Sequence, residues 1–478
     1  MSNQPAQARA AAPPAATPPA AGTVATAPIT APAQTTSIRP APAAVAGRPA
    51  YPSLPTASQP RPGVRTWVSG KASGTPGRMR LFGGLAALAA IVFAVVGAWN
   101  FWSSGQALGR AAATTEQVVR VQAIYADVLR ADANATNAFL VGGLEDPTQR
   151  ADYEAAMKRA AQTLTAAASA QPADGAALAA VNTALQDYSA LVEQARAYNR
   201  QGLPIGAQYL TTASAGLRAT AVPALQALLQ ANTERSRGEL AASGSAWPTL
   251  VAGVLALAVF VLVSLWLAQR TRRRLNAGLA AGTLGLLGAL VAAIVIFAGI
   301  GADVRKVADN QLAGTLALTS ARTAAFDARA NESLGLVRRG QAGASETLWK
   351  ARDAEVDAQL TALGKLTWFG GSGSAAQLGT GWKAYRTAHA EVRALDDAGT
   401  WDAAVAKATS ATESPRTSFA AFEKASSEAV AGFEKALLDD VRGPAARALV
   451  GALVALLAGL AAAVLATRGI AKRVEEYR

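Results

Sequence analysis

The stretch LFGGLAALAAIVFAVVGAWNFW, residues 81–102, decides the fold because it contains no charged side chain. A helix of this length crosses a hydrocarbon core about 30 Å thick, whereas a helix in a soluble core rarely runs so far without a charge. Three further stretches are equally free of charge: residues 246–268, 277–302 and 448–467. The sequence therefore predicts four transmembrane helices rather than a soluble protein.

Basic residues flank these stretches on alternate sides. Residues 1–80 carry eight Arg or Lys and no acid, and residues 269–277 carry four Arg and no acid. Residues 103–245 instead balance 11 basic against 12 acidic side chains, and residues 302–445 balance 17 against 18. This alternation follows the positive-inside rule and is not the footprint of a nucleic-acid-binding protein. We therefore expect a multi-pass plasma-membrane protein with cytoplasmic termini, two extracytoplasmic segments and no nucleic-acid partner.

Alanine, the best helix former, dominates the chain, and turn signals divide each long polar segment into four helices. ADANATNAFLVGG (131–143) and ARANESLGLVRRG (328–340) match at an offset of 197 residues and occupy the same place in their segments. The predicted fold class is all-α, with four transmembrane helices and two extracytoplasmic four-helix-bundle domains arranged as a tandem repeat. The spans are expected to be the membrane parts of four long helices. In the second segment, we expect turns at 338–343, 364–374 and 397–400.

The full predicted division follows from these signals. A Pro/Ala-rich basic tail, expected to be disordered, acts either as a docking arm or as a solvated spacer. The domains are 1–77 (cytoplasmic tail), 81–102 (first span), 103–245 (first bundle), 246–268 (second span), 269–277 (Arg-rich cytoplasmic loop), 278–301 (third span), 302–445 (second bundle), 446–467 (fourth span) and 468–478 (cytoplasmic tail).

Turns at the ends of rigid bundles are where a partner can be met. Two turns of each domain are expected at the membrane-distal end, and they give the candidate partner-binding residues Gly142, Gly143, Glu145, Asp146, Arg200, Gly202, Pro204, Arg338, Arg339, Asp397 and Trp401. At the cytoplasmic side, the candidate relay residues are Arg270, Arg272, Arg273, Arg274, Arg473, Glu475, Glu476 and Tyr477.

Signals for catalysis are missing from the sequence. The chain has no cysteine and one histidine, His389, so several-histidine and thiolate metal sites are excluded, and it has no P-loop. We predict no catalytic residues, no cofactor, no metal and no enzyme activity. His389 is expected to be a solvated or packing residue rather than a pH sensor. The pair Trp368–Phe369 either packs on the bundle or anchors a partner.

Four local stretches, together with the overall layout, resemble the actinobacterial GlnX family. They are AFLVGG…RADYEAAMKRA (138–160), YNRQGLPIGAQYLTTASAGLR (198–218), WKAYRTAHAEVRALDDAG (382–399) and RGIAKRVEEYR (468–478). The resemblance implies four spans and two outer helical domains that couple a glutamate/glutamine-type solute-binding lipoprotein outside to serine/threonine protein kinase G inside.

The function expected from this resemblance is a signal relay for an extracytoplasmic amino acid of the glutamate, glutamine or aspartate type. The segment after the last span is short, so the signal is expected to pass to a separate kinase. The alternatives are a structural or scaffold protein of the envelope and an accessory subunit of a transporter. A homo-oligomer is compatible with the sequence.

Overall fold

The computed structural model describes residues 75–141, 145–271, 276–366, 372–410, 412 and 414–475. The all-α class is confirmed, since these residues form helices and turns and no strand. The helices are α1 (Thr75–Phe139), α2 (Pro147–Ala170), α3 (Gly175–Arg200), α4 (Ile205–Ser243), α5 (Trp247–Thr271), α6 (Ala277–Lys306), α7 (Ala313–Val337), α8 (Gly343–Gly364), α9 (Ser372–Asp397), α10 (Trp401–Thr409) and α11 (Pro415–Glu475). Pro172–Asp174 form a short 3-10 turn, and Val307–Leu312 form a π-helical segment.

Four of the helical runs are long and apolar enough to cross a membrane, which confirms a multi-pass membrane protein. Glycines allow these helices to approach closely. A Cβ atom added at Gly278 would lie 2.5 Å from the carbonyl oxygen of Leu465, and one at Gly459 would lie 2.6 Å from the Cβ of Ala94. Helix α11 therefore packs tightly against both α6 and α1 inside the membrane.

The first bundle runs up, down, up and down. Helix α1 leaves the membrane, α2 returns, α3 rises again and α4 descends, with α1 packed on α2 and α4. Asp146 caps α2 by accepting a hydrogen bond from the Thr148 amide at 2.9 Å, and Pro147 occupies the first helical position, where its missing N–H costs nothing. The proline and the capping aspartate therefore explain why α2 starts at this position.

The prediction of four long helices is correct for α1, for α11 and for the continuous run Ala277–Val337, and it fails only between α4 and α5. Residues 244–246 separate α4 from α5, because Gly244 favours a helix end and Pro248 lies where the next helix starts. Helices α6 and α7 are joined through the π-helical segment Val307–Leu312, which widens the helix at the membrane boundary. The two membrane connections thus differ between the halves of the chain.

A further break corrects the predicted plan of the second bundle. The descending part is split into α10 and α11, with the interruption at 410–414. Ser414 accepts a hydrogen bond from the Thr417 amide at 3.3 Å, and Pro415 begins α11. Ser followed by Pro starts a new helix and disfavours helical backbone before it, so a continuous fourth helix was the wrong expectation.

The two bundles pack side by side within one compact unit. Helix α1 contacts α7 and, along much of its length, α11. Leu129 and Ala133 of α1 belong to the same apolar core as Phe326 of α7 and Phe433 of α11. The outer region is therefore a joined pair of bundles and not two separate domains.

Candidate functional site: a cleft between the bundle tips

A cleft of about 490 Å³ lies where the membrane-distal turns of both bundles meet. Five of the predicted partner-binding residues line it: Gly202, Pro204, Arg338, Arg339 and Trp401. The walls also include Phe139, Leu140, Leu203 and Val337. Two tips that the sequence places about 200 residues apart thus form one surface.

Backbone conformation marks these turns. In the part of the chain that the structure describes, all residues with positive φ lie at the distal end: Gly202 (69°), Arg339 (34°), Gly340 (76°) and Gly399 (76°). Glycine adopts such angles freely, whereas a side chain such as that of Arg339 adopts them at a cost of about 1–3 kcal/mol. Strain of this kind is concentrated at functional sites, and here it presents Arg339 at the cleft.

Side chains from neighbouring turns form hydrogen bonds with the C-terminal ends of α1 and α7. The Trp401 indole N–H donates to the carbonyl of Leu336 at 2.8 Å, and the Asn199 amide donates to the carbonyl of Phe139 at 3.2 Å. Both bonds are made to carbonyls in the last turn of a helix, and the Leu336 carbonyl also accepts the Arg339 backbone N–H at 3.3 Å. The Arg339 guanidinium lies over the Trp401 ring at 3.8 Å, which fixes a cation and an aromatic ring at the cleft.

Apolar side chains are exposed around this cleft. Val141, Leu203 and Ile205 are 44%, 43% and 49% exposed. Arginine and tryptophan, which lie beside these aliphatic residues, are enriched among the side chains that contribute most to protein–protein binding. The cleft therefore combines exposed aliphatic side chains with a cation and an aromatic ring.

Glu145 and Arg200 line a second cavity of about 220 Å³ inside the tip of the first bundle. The Arg196 guanidinium pairs with Glu145 at 3.0 Å and lies over the Tyr153 ring at 4.2 Å. Burial raises the pKa of Tyr153 to about 12, so its hydroxyl stays protonated. This cavity is closed by an ion pair that the sequence does not reveal.

The remaining distal predictions lie outside the cleft. Asp146 contacts Arg416 at 3.3 Å and so joins the two bundles. The Thr148 backbone N–H, followed by attraction from Arg416, lowers the pKa of Asp146. Asp397 is exposed and pairs with Arg393 on its own helix. Gly142 and Gly143 lie outside the described residues.

A buried chain of charges crosses between the bundles below the cleft. Arg218 of α4 binds Asp132 of α1 at 2.7 Å and Asp327 of α7 at 2.6 Å. Asp327 also accepts from Arg352 of α8 at 2.9 Å, and Asp132 is fully buried. Four helices from both bundles are therefore tied through one arginine. Sequence reasoning missed this layer, because Arg218 and Asp327 are 109 residues apart along the chain.

His389 is buried and corrects the expectation of a solvated residue, while its packing role is confirmed. Its ring stacks on Trp349 at 3.7 Å and bonds Glu332 at 2.7 Å and Glu346 at 3.2 Å. Burial lowers the pKa of His389, but the hydrogen bonds to the two carboxylates outweigh it and raise the pKa to about 9. The imidazole is thus charged at neutral pH and holds three helices together.

At the opposite end of the molecule, a groove of about 360 Å³ lies between α1 and α11. The predicted relay residue Glu475 lines it together with Arg80 and Ile470. Arg270 is exposed at the end of α5, and Arg473 is half-buried on α11. Arg272, Arg273, Arg274, Glu476 and Tyr477, and also the Trp368–Phe369 pair, lie outside the described residues.

No cluster that could hold a metal ion occurs in the described part of the chain. Residues 107–241, which make up most of the first bundle, match the family model described as actinobacterial sensor domain. The match supports a sensing role for the protein. Together with the all-helical fold, it points to a non-catalytic role. Neither the curated proteins nor the solved structures contain a match to this chain.

Proposed function

We propose that the protein is a transmembrane relay that receives an extracytoplasmic amino-acid signal through a solute-binding lipoprotein and passes it to a cytoplasmic serine/threonine kinase. The match of 107–241 to a sensor domain supports the sensing role. The basic excess in 1–80 and 269–277 supports cytoplasmic termini and extracytoplasmic bundles in the plasma membrane. The glutamate/glutamine/aspartate class of signal follows from the family resemblance.

The observation that carries the docking step is the distal cleft. It combines a strained arginine, a tryptophan and exposed aliphatic side chains, and it is formed by both bundles at once. A protein that docks there touches both tips and favours one of their relative positions. Such a bias shifts an equilibrium between two packings only by the difference in its affinity for them.

The buried charge layer offers a route for this shift. Arg218 ties α1, α4 and α7 together, so a displacement of the tips moves helices that continue toward the membrane. Helix α1 and α11 are continuous into the membrane and meet again at the groove lined by Glu475. In this proposal, the kinase responds to the cytoplasmic ends of these helices.

Co-purification with the tagged full-length protein in mild detergent tests the proposal. We expect recovery of an amino-acid-binding lipoprotein and of a soluble serine/threonine kinase. The double variant Arg339→Ala/Trp401→Ala should lose the lipoprotein and retain the kinase. Arg237→Ala, an exposed arginine about 48 Å down α4 from the tip, is the matched control and should retain both. Recovery of neither protein by the unaltered chain would sink the proposal.

A further inference from the structure

A second inter-bundle cavity, of about 220 Å³, lies roughly midway between the distal cleft and the membrane. Helices α1 and α2 form one wall, and α7 and α11 form the other. Its charged and amide side chains are Gln122, Asp127, Arg130, Arg159, Arg322 and Glu434. The volume is below the range of about 300–1,000 Å³ that drug-sized ligands occupy, so it suits a small metabolite.

Three of the charged residues that line this cavity, Asp127, Arg130 and Arg159, already form ion pairs. Arg159 lies 2.9 Å from Asp127, and the Nε atom of Arg130 lies 2.7 Å from Glu423, an acid just outside the cavity. These pairs hold α2 against α1 and α1 against α11. They shape the cavity but leave its other polar groups available.

Two side chains that face the cavity lack partners. Gln122 is 2% exposed, and neither its amide nitrogen nor its amide oxygen has a hydrogen-bond partner within the described ranges. Arg322 is 7% exposed, and its buried Nε atom has no partner among the same residues. Buried polar groups in folded proteins are nearly always bonded. The Arg322 guanidinium is attracted by the carboxylates of Glu423, Asp127 and Glu434, but its Nε atom makes no hydrogen bond to any of them. Both groups therefore point to a ligand.

The charges indicate what kind of ligand fits. Once Arg159 and Arg130 are paired, the cavity presents the guanidinium of Arg322 and the carboxyl group of Glu434, which form no ion pair with any residue in the described ranges. A guanidinium binds a carboxylate through parallel hydrogen bonds, and a carboxylate binds an ammonium. A molecule with one group of each sign satisfies both without adding net charge.

We propose that this cavity is a binding site for a small free amino acid held as a zwitterion. Arg322 binds its carboxylate, Glu434 binds its ammonium group, and the Gln122 amide completes the hydrogen bonds. The site requires no docked protein, so it goes beyond the proposed relay. Because the ligand contacts both walls, its binding favours one spacing of the two bundles.

Calorimetric titration and thermal unfolding of the full chain in detergent micelles test this site. The probes are L-alanine, L-serine and L-glutamine. The controls, called single-pole probes, carry only one of the two charged groups: propionate and inorganic phosphate lack the ammonium group, and ethylamine lacks the carboxylate. At least one amino acid should bind saturably and raise the unfolding temperature, and the single-pole probes should not. Binding of none of the amino acids, or equal binding of propionate or phosphate, would overturn the proposal.

Variants separate a ligand contact from a structural role. Arg322→Met and Glu434→Gln should each weaken amino-acid binding at least about tenfold. Arg322→Met should not lower the unfolding temperature of the free protein, because burial disfavours the Arg322 charge by more than Glu423, Asp127 and Glu434 favour it, and its Nε atom has no hydrogen bond to lose. If Arg322→Met lowers that temperature and keeps the binding affinity, the residue is structural and the inference fails.

Arg329 provides the matched control on the same helix. It is also buried, but it donates to the Pro415 carbonyl at 3.4 Å and lies over the Phe419 ring at 4.9 Å. Arg329→Met should lower the unfolding temperature and keep amino-acid binding. Lipoprotein recovery by the Arg322→Met protein without added amino acid is a separate readout, so failure of this site and failure of the docking proposal are distinguishable.

Discussion

The two bundles follow one helical plan but fill their interiors with different side chains. The first is packed largely by alanine, leucine and valine, among them Ala156, Ala160, Ala195 and Ala213. The second is packed by aromatic residues: Trp349, Trp382, Tyr385, Phe419, Phe422 and Phe433. Small residues let helix backbones approach closely, whereas stacked rings interlock. The difference teaches that one helical architecture can be held by close packing of small side chains in one bundle and by interlocking rings in the other.

The largest expected effect comes from breaking the layer that both bundles share. Arg218→Ala leaves Asp132 and Asp327 without their common partner, and removing one member of a buried ion pair costs about 3–5 kcal/mol. We expect the loss near the top of that range, measured by denaturant unfolding in detergent. The exposed control Arg237→Ala should change the free energy of unfolding by less than about 0.5 kcal/mol. Equal effects of the two variants on the free energy of unfolding would show that the ion pairs of Arg218 do not stabilise the protein.

Removing a large buried side chain should destabilise the second bundle most. Trp382 is 1% exposed, packs on Tyr385 and Phe422, and donates to Asp353 at 2.8 Å. Trp382→Ala therefore leaves a cavity and a lost hydrogen bond, with an expected cost of about 3–5 kcal/mol. The same unfolding measurement checks it. A cost below about 1 kcal/mol would mean that the ring core does not support this bundle.

Replacing a small buried side chain with a larger one should destabilise the first bundle. Ala160 is fully buried between helices, whereas its neighbour Ala161 is exposed. Ala160→Leu should overpack the core and cost about 1–3 kcal/mol. Ala161→Leu is the control and should be close to neutral. If both leucine variants are tolerated equally, the first bundle is not held by close packing of small residues.

The smallest effect is a dependence of stability on pH that belongs to the second bundle. The pKa of His389 rises from 6.5 in the unfolded chain to about 9 in the folded one. The contribution of His389 to the free energy of unfolding is therefore complete below pH 6.5 and is lost as the pH rises through about 9. The other charges near Glu346 are Lys350 at 3.4 Å and Arg393 at 3.6 Å.

The measurement is the unfolding temperature from pH 6 to pH 10, compared with His389→Gln. The unaltered protein should lose stability over that interval, while the variant should start lower and show a flatter profile. Parallel profiles would show that His389 is not the titrating group.

Sequence predicted the spans and the distal turns because both depend on local signals. The repeated stretches lie in α1 and α7, which are in contact. At the repeat offset, Arg130 corresponds to Asp327 and Asp132 to Arg329, so equivalent positions carry opposite charges. The Ser414–Pro415 break was readable but was missed.

The pairings between bundles could not be predicted in the same way. Asp146 meets Arg416 at a separation of 270 residues, and the two tips form a cleft only because the bundles lie side by side. Helical periodicity specifies which face of a helix is apolar, but it does not specify which helix covers that face. A single chain carries no signal for such contacts.

The central claim is that an event at the outer bundles changes the arrangement of the helix ends at the cytoplasmic side. The chain has no cysteine, so spin labels at Arg270→Cys and Glu475→Cys report on α5 and α11 without background. The decisive measurement is the distance distribution between these labels, with and without the co-purified solute-binding lipoprotein bound at the cleft. The account predicts a shifted distribution that reverts in the Arg339→Ala/Trp401→Ala protein. An unchanged distribution with the lipoprotein demonstrably bound would contradict it.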